Sequence, residues 1–219
     1  MMTRNSQITT ALFLFIILFV TVSNCLAQPK QQVKLQWAQT KEGRAICGSC
    51  TVPTDLSWQV WLIQKGESGK PVVISGIIYK ADGVTPDSGV IVFLYQADAG
   101  GYYHRPKEDV FHPRLYGWLI TGKDGRYEIH TVKPSPEILA PEEPAHIHAQ
   151  IFNKEMPEHF LHEFWFDGDS RISPADSRKF AKLGSFSPII TLTKGKDGIS
   201  RGVRNIKVKP ASPWTYEDE

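Results

Sequence analysis

The chain has few cysteines and no large excess of charge of either sign. It contains 3 cysteines in 219 residues, and its formal net charge at pH 7 is +2. This balance gives no reason to expect nucleic acid or an anionic membrane as a partner. The sequence also lacks internal repeats and low-complexity tracts, and its length suits one domain with a sizeable core.

No apolar run is long enough for a comfortable membrane span, and the longest one covers residues 11–22. Arg4 precedes this run and the small-residue pattern Cys25-Leu26-Ala27 follows it, so we expect residues 1–27 to be a signal peptide. The mature chain then carries 24 basic and 23 acidic residues, a net charge of +1, and is periplasmic or extracellular. A lipid anchor at Cys25 is the minor alternative.

Cleavage leaves two cysteines, Cys47 and Cys50, separated by two residues. There is no second cysteine pair to complete a zinc site, and no βαβ pattern of a redox domain surrounds them. In an exported protein we therefore expect a local structural disulfide. The pair lies in residues 28–71, which look irregular, and we expect the main domain to cover residues 72–219.

Helical periodicity is also scarce. Short apolar runs between turn residues predict strands at 72–79, 90–96, 115–121, 127–132, 146–152, 161–166, 189–193 and 204–208. One helix is predicted at residues 175–183, after Ser173-Pro174 and before Gly184. The pattern predicts an all-β fold, namely an antiparallel β-sandwich with Greek-key-like connections and one short helix.

Within one predicted strand, two histidines lie one residue apart. Side chains at positions i and i+2 of a strand share a face, so His146 and His148 can reach one metal ion. Taken alone, such a pair more often belongs to a polar strand face. A phenolate ligand favours ferric iron, whereas two histidines with a carboxylate favour ferrous iron. Four upstream residues offer further ligands: Tyr103, His112, Tyr116 and Glu137.

Five segments, taken in order, resemble the intradiol ring-cleavage dioxygenases, the family of catechol and protocatechuate dioxygenases. They are residues 76–86, 92–103, 125–134, 144–148 and 164–169. Enzymes of this family hold ferric iron with two tyrosines and two histidines on a β-sandwich. The resemblance covers roughly residues 72–208 and is far more specific than the histidine pair alone.

The resemblance implies that Fe(3+) is bound by Tyr103, His146 and His148. Glu137 stands where the family has its second tyrosine, and we expect it to be a displaceable ligand or a base. The substrates implied are a catechol-type aromatic and O2, with ring opening between the two hydroxyl-bearing carbons. Tyr116 is a candidate catalytic residue lining the pocket, or else a half-buried strand tyrosine. Glu143 replaces an arginine of the well-known enzymes.

Three alternatives stay open at this point. Glu137 can point into solvent and leave the metal site to be completed by water, or the chain can be an inactive exported binding module resembling transthyretin-like domains. A ferrous oxygenase with two histidines and one carboxylate also fits. The sequence does not identify the catechol, and it leaves the oligomeric state open, a homo-oligomer included.

The cysteine pair gives a first prediction. Protein purified from its exported compartment should contain a Cys47–Cys50 disulfide, because no other thiol remains after cleavage. Alkylation before and after reduction, followed by mass spectrometry, should label these residues only after reduction. Two thiols that react before reduction, or zinc bound at the pair, would contradict the structural interpretation.

Overall fold

Twelve short strands form two sheets in the part of the chain that is described. The computed structural model describes residues 48–49, 51–104, 112–156 and 158–208. The first sheet contains β1 (Gln59–Trp61), β2 (Pro71–Tyr79), β5 (Arg126–Val132), β10 (Thr193–Lys194), β11 (Ser200–Val203) and β12 (Ile206–Lys207). The second sheet contains β3 (Ile91–Gln96), β4 (Leu115–Ile120), β6 (His146–Phe152), β7 (His159–Phe160), β8 (Phe164–Phe166) and β9 (Ile189–Ile190).

The chain passes repeatedly between the two sheets. Strand β2 lies in the first sheet, β3 and β4 form an antiparallel pair in the second, and β5 returns to pair with β2. Strand β6 then crosses back to lie between β3 and β8. This confirms the all-β sandwich. The central pairs are antiparallel as expected, whereas β1–β5, β2–β11, β2–β12 and β8–β9 are parallel, so both sheets are mixed.

The main core is formed by side chains that alternate along the facing strands. Ile74 of β2 and Ile129 of β5 are register partners, and both are fully buried. Leu94 and Ala149 form the corresponding pair between β3 and β6, and they belong to the same apolar cluster. Each fully buried aliphatic side chain of this kind contributes about 1.5–3 kcal/mol. The core therefore fixes which residues of β3 and β6 face away from it.

The predicted helix is present as α1 (Pro174–Ala181), the one α-helix among the described residues. The Ser173 hydroxyl accepts a hydrogen bond from the Asp176 backbone N–H at 3.0 Å, and Pro174 occupies the first turn. The helix ends two residues before the predicted end, and a separate 3-10 turn follows at Gly184–Phe186. In the described ranges no helix has the length and hydrophobicity needed to cross a bilayer.

Three strands were not predicted from the sequence, and one of them, the two-residue β7, lies just before the predicted strand at 161–166. Strand β1 lies in the segment expected to be irregular and pairs with β5, so the first sheet begins before residue 72. Strand β11 pairs with β2, and its four residues carry no apolar alternation. The proposed signal peptide, Cys47 and Cys50 lie outside the described residues, and the predictions made for them stay predictions.

A buried arginine connects the first sheet to the segment that precedes β8. Arg204 is 1% exposed, its guanidinium donates to the carbonyls of His162 and Glu163 at 2.8 and 3.2 Å, and it lies over the ring of Phe164. The Tyr127 hydroxyl donates to the Arg204 carbonyl at 2.6 Å. A Cβ added at Gly76 would lie 1.8 Å from that same carbonyl oxygen. Glycine is thus required at position 76 for the arginine to reach its place.

This close contact gives a stability prediction. Gly76→Ala should lower the free energy of unfolding by about 3 kcal/mol, because the added methyl meets backbone and not a movable side chain. Gly122→Ala is the matched control, since its nearest atoms belong to the Asp124 and Arg126 side chains, and it should change stability by less than about 1 kcal/mol. Urea unfolding measures both, and equal effects would contradict the packing argument.

Candidate metal centre

The two histidines lie on the face of β6 that points away from the main core. Their neighbours Ile147 and Ala149 point into that core, so alternation places His146 and His148 on the opposite face. His148 is the register partner of Tyr95 on β3, and the two rings stack with centroids 4.4 Å apart. The strand pairing therefore fixes both imidazoles on one surface of the second sheet.

Backbone contact also sets which nitrogen of His146 faces the site. Its Nδ1 lies 2.7 Å from the Pro144 carbonyl oxygen, and a carbonyl only accepts, so Nδ1 carries the proton. In the neutral ring Nε2 is then the unprotonated atom, and it points toward His148 Nε2 at 2.9 Å. A histidine held in this way is prepared to bind a metal through Nε2.

Tyr103 and Glu137 reach the histidines from two loops that are bound to each other. The Ile138 backbone N–H donates to the Gly101 carbonyl at 3.2 Å, and the Ser135 hydroxyl donates to the Ala99 carbonyl at 2.7 Å. Gly101 has a φ of 84°, and a Cβ there would lie 2.3 Å from the Pro136 carbonyl oxygen. Only glycine permits this approach, which brings the tyrosine loop onto the glutamate loop.

Four donor atoms converge on one point. Glu137 Oε1 lies 3.2 Å from His146 Nε2 and 3.6 Å from His148 Nε2, and Tyr103 Oη lies 3.1 Å from His148 Nε2. The Tyr103 hydroxyl also donates a hydrogen bond to Glu137 Oε1. Donors bound about 2.1 Å from one ion, at roughly right angles, lie about 3 Å apart. Two imidazole nitrogens and two hard oxygens fit iron by their chemistry and their spacing.

The protonation of the four groups follows from burial and from their contacts. Burial and the Glu137 carboxylate raise the pKa of Tyr103 well above its usual value. Burial works against ionisation of Glu137, but hydrogen bonds with His146, His148 and Tyr103 outweigh it and hold its pKa well below the usual range. Burial lowers the pKa of His148. Burial acts in the same direction on His146, but the contact with Glu137 outweighs it and raises the pKa of His146. The glutamate is thus the anion of the site, and Tyr103 must lose a proton to bind a metal as phenolate.

A short backbone segment packs on the same face of the sheet, beside the site. The Gly48 N–H donates to Gln150 Oε1 at 3.1 Å, and Trp118 Nε1 donates to the Gly48 carbonyl at 2.6 Å. The Ser49 N–H donates to Glu158 at 3.2 Å. Burial raises the pKa of Glu158 to about 7. Gln150 follows His148 by two residues, so this segment borders the metal ligands.

The structure brings together Tyr103, Glu137, His146 and His148, and it places Tyr116 elsewhere. Tyr116 pairs with Tyr95 across β3 and β4, so Tyr95 stands between it and His148. Its ring stacks on the buried His112 with centroids 4.6 Å apart, inside a second aromatic cluster. This position matches the half-buried strand tyrosine, and a catalytic role for Tyr116 stays a prediction.

Two residues near the site were missed by sequence reasoning. Tyr95 stacks on His148, and Glu163 Oε1 lies 3.8 Å from His148 Nδ1. Tyr95 lies at an alternate position of a predicted strand, but its partner becomes clear only from the register of β3 against β6. Glu163 depends on how Arg204 holds the segment before β8, for which the sequence carries no signal.

The fold is a β-sandwich, and its donor set of two imidazole nitrogens and two oxygens suits iron. Residues 55–184 match the family model described as Dioxygenase, which is more than half of the chain. The chain therefore belongs to the intradiol ring-cleavage dioxygenase family, as the resemblance in its sequence indicated.

One curated relative and two solved structures illustrate this kinship. The chain is 31% identical over 104 residues to the 6-chlorohydroxyquinol 1,2-dioxygenase of Cupriavidus pinatubonensis, and the match covers 41% of this chain but only 37% of that protein. The dioxygenase domain of a dioxygenase–carbohydrate-binding protein fusion from Streptomyces sp. SirexAA-E gives a TM-score of 0.54 at 21% identity, covering 73% of this chain and 92% of that one. An intradiol ring-cleavage dioxygenase from Tetranychus urticae gives a TM-score of 0.53 at 17% identity, and the match covers 78% of this chain and 96% of that one. At these identities the two solved structures support the fold of this chain and nothing further.

The metal centre gives a direct prediction. Purified protein should bind one iron per chain, and the double variant His146→Ala/His148→Ala should retain less than about a tenth of it, because both nitrogen ligands are lost. Elemental analysis measures the iron content. His130→Ala is the control, since this histidine belongs to β5 of the other sheet and hydrogen-bonds Glu128. Full iron occupancy in the double variant would show that the metal binds elsewhere.

Proposed function

We propose that the protein is a ferric dioxygenase that opens a catechol-type ring between its two hydroxyl-bearing carbons. The observation that supports this most directly is the convergence of Tyr103, Glu137, His146 and His148. A carboxylate and a phenolate each carry one negative charge, so this set neutralises Fe(3+) to the same extent as the two tyrosines and two histidines of the family. The substituted ligand preserves the charge of the site.

The reaction adds one O2 to the catechol and breaks the bond between the two oxygen-bearing carbons. Both oxygen atoms enter the product, a muconate-type diacid, so no external reductant is required. Bound iron would supply the Lewis acid that withdraws electron density from the deprotonated catechol. The protein's part is to hold the ligands, leave room for the two catechol oxygens and accept the catechol protons.

Glu137 is suited to accept one of those protons. While it contacts both histidines and Tyr103, its lowered pKa makes it a poor base. Moving away from these partners removes the contacts that depress the pKa, and the carboxylate then regains its ordinary basicity. Displacement of Glu137 and proton uptake are therefore coupled. The Tyr103 ring lies against the rings of Tyr95 and His148, with centroids 6.2 and 6.4 Å apart, and we assign Tyr103 as the permanent oxygen ligand.

A ferrous oxygenase is the second candidate, because Glu137, His146 and His148 alone form a two-histidine, one-carboxylate set with donor atoms within 4.8 Å of one another. Tyr103 distinguishes the two. A phenolate bound to ferric iron absorbs visible light, whereas a ferrous site of this kind is nearly colourless. The visible spectrum of the purified, iron-loaded chain separates the candidates.

The role of Glu137 gives the sharpest test. Glu137→Gln should keep its iron but slow ring opening by about a hundredfold, because the amide cannot take up the catechol proton. Glu137→Tyr should restore a second phenolate and deepen the visible colour. Oxygen uptake with catechol, product analysis and absorption spectra measure these effects.

The matched control is Glu142→Gln, which removes a carboxylate from an exposed position in the same loop and should leave turnover and spectrum as they are. If both Glu137 variants behave like this control, then water completes the site and Glu137 plays no part. If the wild-type chain binds iron but consumes no oxygen with any catechol, the proposed activity is wrong.

A further inference from the structure

Two large aliphatic side chains lie exposed at the tip of the loop that carries Glu137. The Ala140 backbone N–H donates to the Glu137 carbonyl at 3.2 Å, so residues 137–140 form a tight turn with Ile138 and Leu139 at its centre. Ile138 is 52% exposed and Leu139 is 86% exposed. The central positions of turns favour glycine, proline, asparagine, aspartate or serine. Neither turn geometry nor core packing accounts for this pair.

A third exposed hydrophobic side chain lies on the adjoining loop. Tyr102 is 50% exposed and directly precedes the ligand Tyr103. The hydrogen bond from the Ile138 N–H to the Gly101 carbonyl joins the two loops at this point. Six large hydrophobic side chains are exposed in the described residues, and Tyr102, Ile138 and Leu139 are three of them. We refer to these three as the apolar rim, because they flank two of the four ligands.

Among the described residues, the charges around the ligands are mainly negative. Glu163 lies beside His148, and Glu143 acts on Tyr103. In the part of the chain that the structure describes, two arginines border the ligand loops, and both have partners already. Arg114 contacts Glu67 at 2.6 Å and Asp98 at 3.3 Å. Arg171 contacts Asp169 at 3.3 Å and donates to the Pro141 carbonyl at 2.6 Å. A carboxylate on the substrate would thus meet acidic side chains and arginines that are already paired.

We infer that the substrate is a catechol whose ring carries an uncharged apolar substituent, and that Ile138 and Leu139 bind this substituent. The inference rests on the proposed ring cleavage and deepens it. The rim adjoins the metal ligands in the chain, since Ile138 directly follows Glu137 and Tyr102 directly precedes Tyr103. Apolar contact beside the ligands gains affinity for an alkyl or similar group, and the surrounding carboxylates disfavour a substituent that carries negative charge.

The test compares three ligands by anaerobic calorimetry on the full iron-loaded chain, so that binding is measured without turnover. The probes are catechol, tert-butylcatechol and protocatechuate, which carry no substituent, an apolar one and a carboxylate. We expect tert-butylcatechol to bind about tenfold more tightly than catechol, because burial of about one to two methylene groups gives a gain of this size. We expect protocatechuate to bind about tenfold more weakly than catechol. The variant Ile138→Ser/Leu139→Ser should bring the ratio of the first two dissociation constants close to one.

Val203→Ser is the matched control, since Val203 is a 66% exposed valine on β11 of the other sheet, and the ratio should keep its wild-type value. Equal affinities for catechol and tert-butylcatechol, or a preference that survives the double variant, would overturn the inference. Arg105 and Lys107 follow Tyr103 in the chain and lie outside the described residues. Tighter binding of protocatechuate that is lost in Arg105→Gln/Lys107→Gln would also overturn the inference, by showing that those cations select a carboxylate. Ring opening of catechol without any alkyl preference would refute this inference alone, whereas no ring opening of any probe would refute the proposed function.

Discussion

Strand β6 is covered on both faces, and most of the site depends on this constraint. On one face Ile147, Ala149 and Ile151 belong to the core between the sheets. On the other face His146, His148 and Gln150 are held beneath Tyr95 and the Gly48–Ser49 segment. Because side chains alternate strictly along a strand, the core residues also fix the direction of the two histidines. A shift of one residue in the pairing would exchange core and ligands.

The oxygen ligands are held in a different way from the nitrogen ligands. The histidines belong to a central strand with pairing on both sides, whereas Tyr103 and Glu137 come from loops joined by a few backbone contacts. The loops can therefore adjust without disturbing the sheet. This division is suited to a site in which one ligand must leave while the others stay. It also places the substituted position, Glu137, in the part of the site that can move.

Much of this arrangement could be predicted from the sequence, and the exceptions have physical reasons. The alternation around His146 and His148 and the apolar patterns of β2 to β6 could be predicted because they depend only on residues that are neighbours in the chain. Glu137 was found only because its spacing from His146 matches that of the family's second tyrosine. Strands β1 and β11 were missed because each is short and pairs in parallel with a strand that is distant in the chain, β5 for β1 and β2 for β11. The same holds for Glu163, whose position is set by Arg204 from the other sheet.

The buried carboxylate beneath the Gly48–Ser49 segment links folding to pH. Glu158 has a pKa of about 7 in the folded chain and an ordinary value of 4.5, so the folded state holds its proton more firmly than the unfolded state. The stabilisation from this bound proton is complete below pH 4.5 and is lost as the pH rises to about 7. The pKa difference corresponds to ~3 kcal/mol at most. The N–H groups of the Gly48–Ser49 segment favour the ionised carboxylate, but burial of Glu158 outweighs them. The folded state therefore gains stability in mildly acidic surroundings and loses this contribution as the pH approaches neutrality.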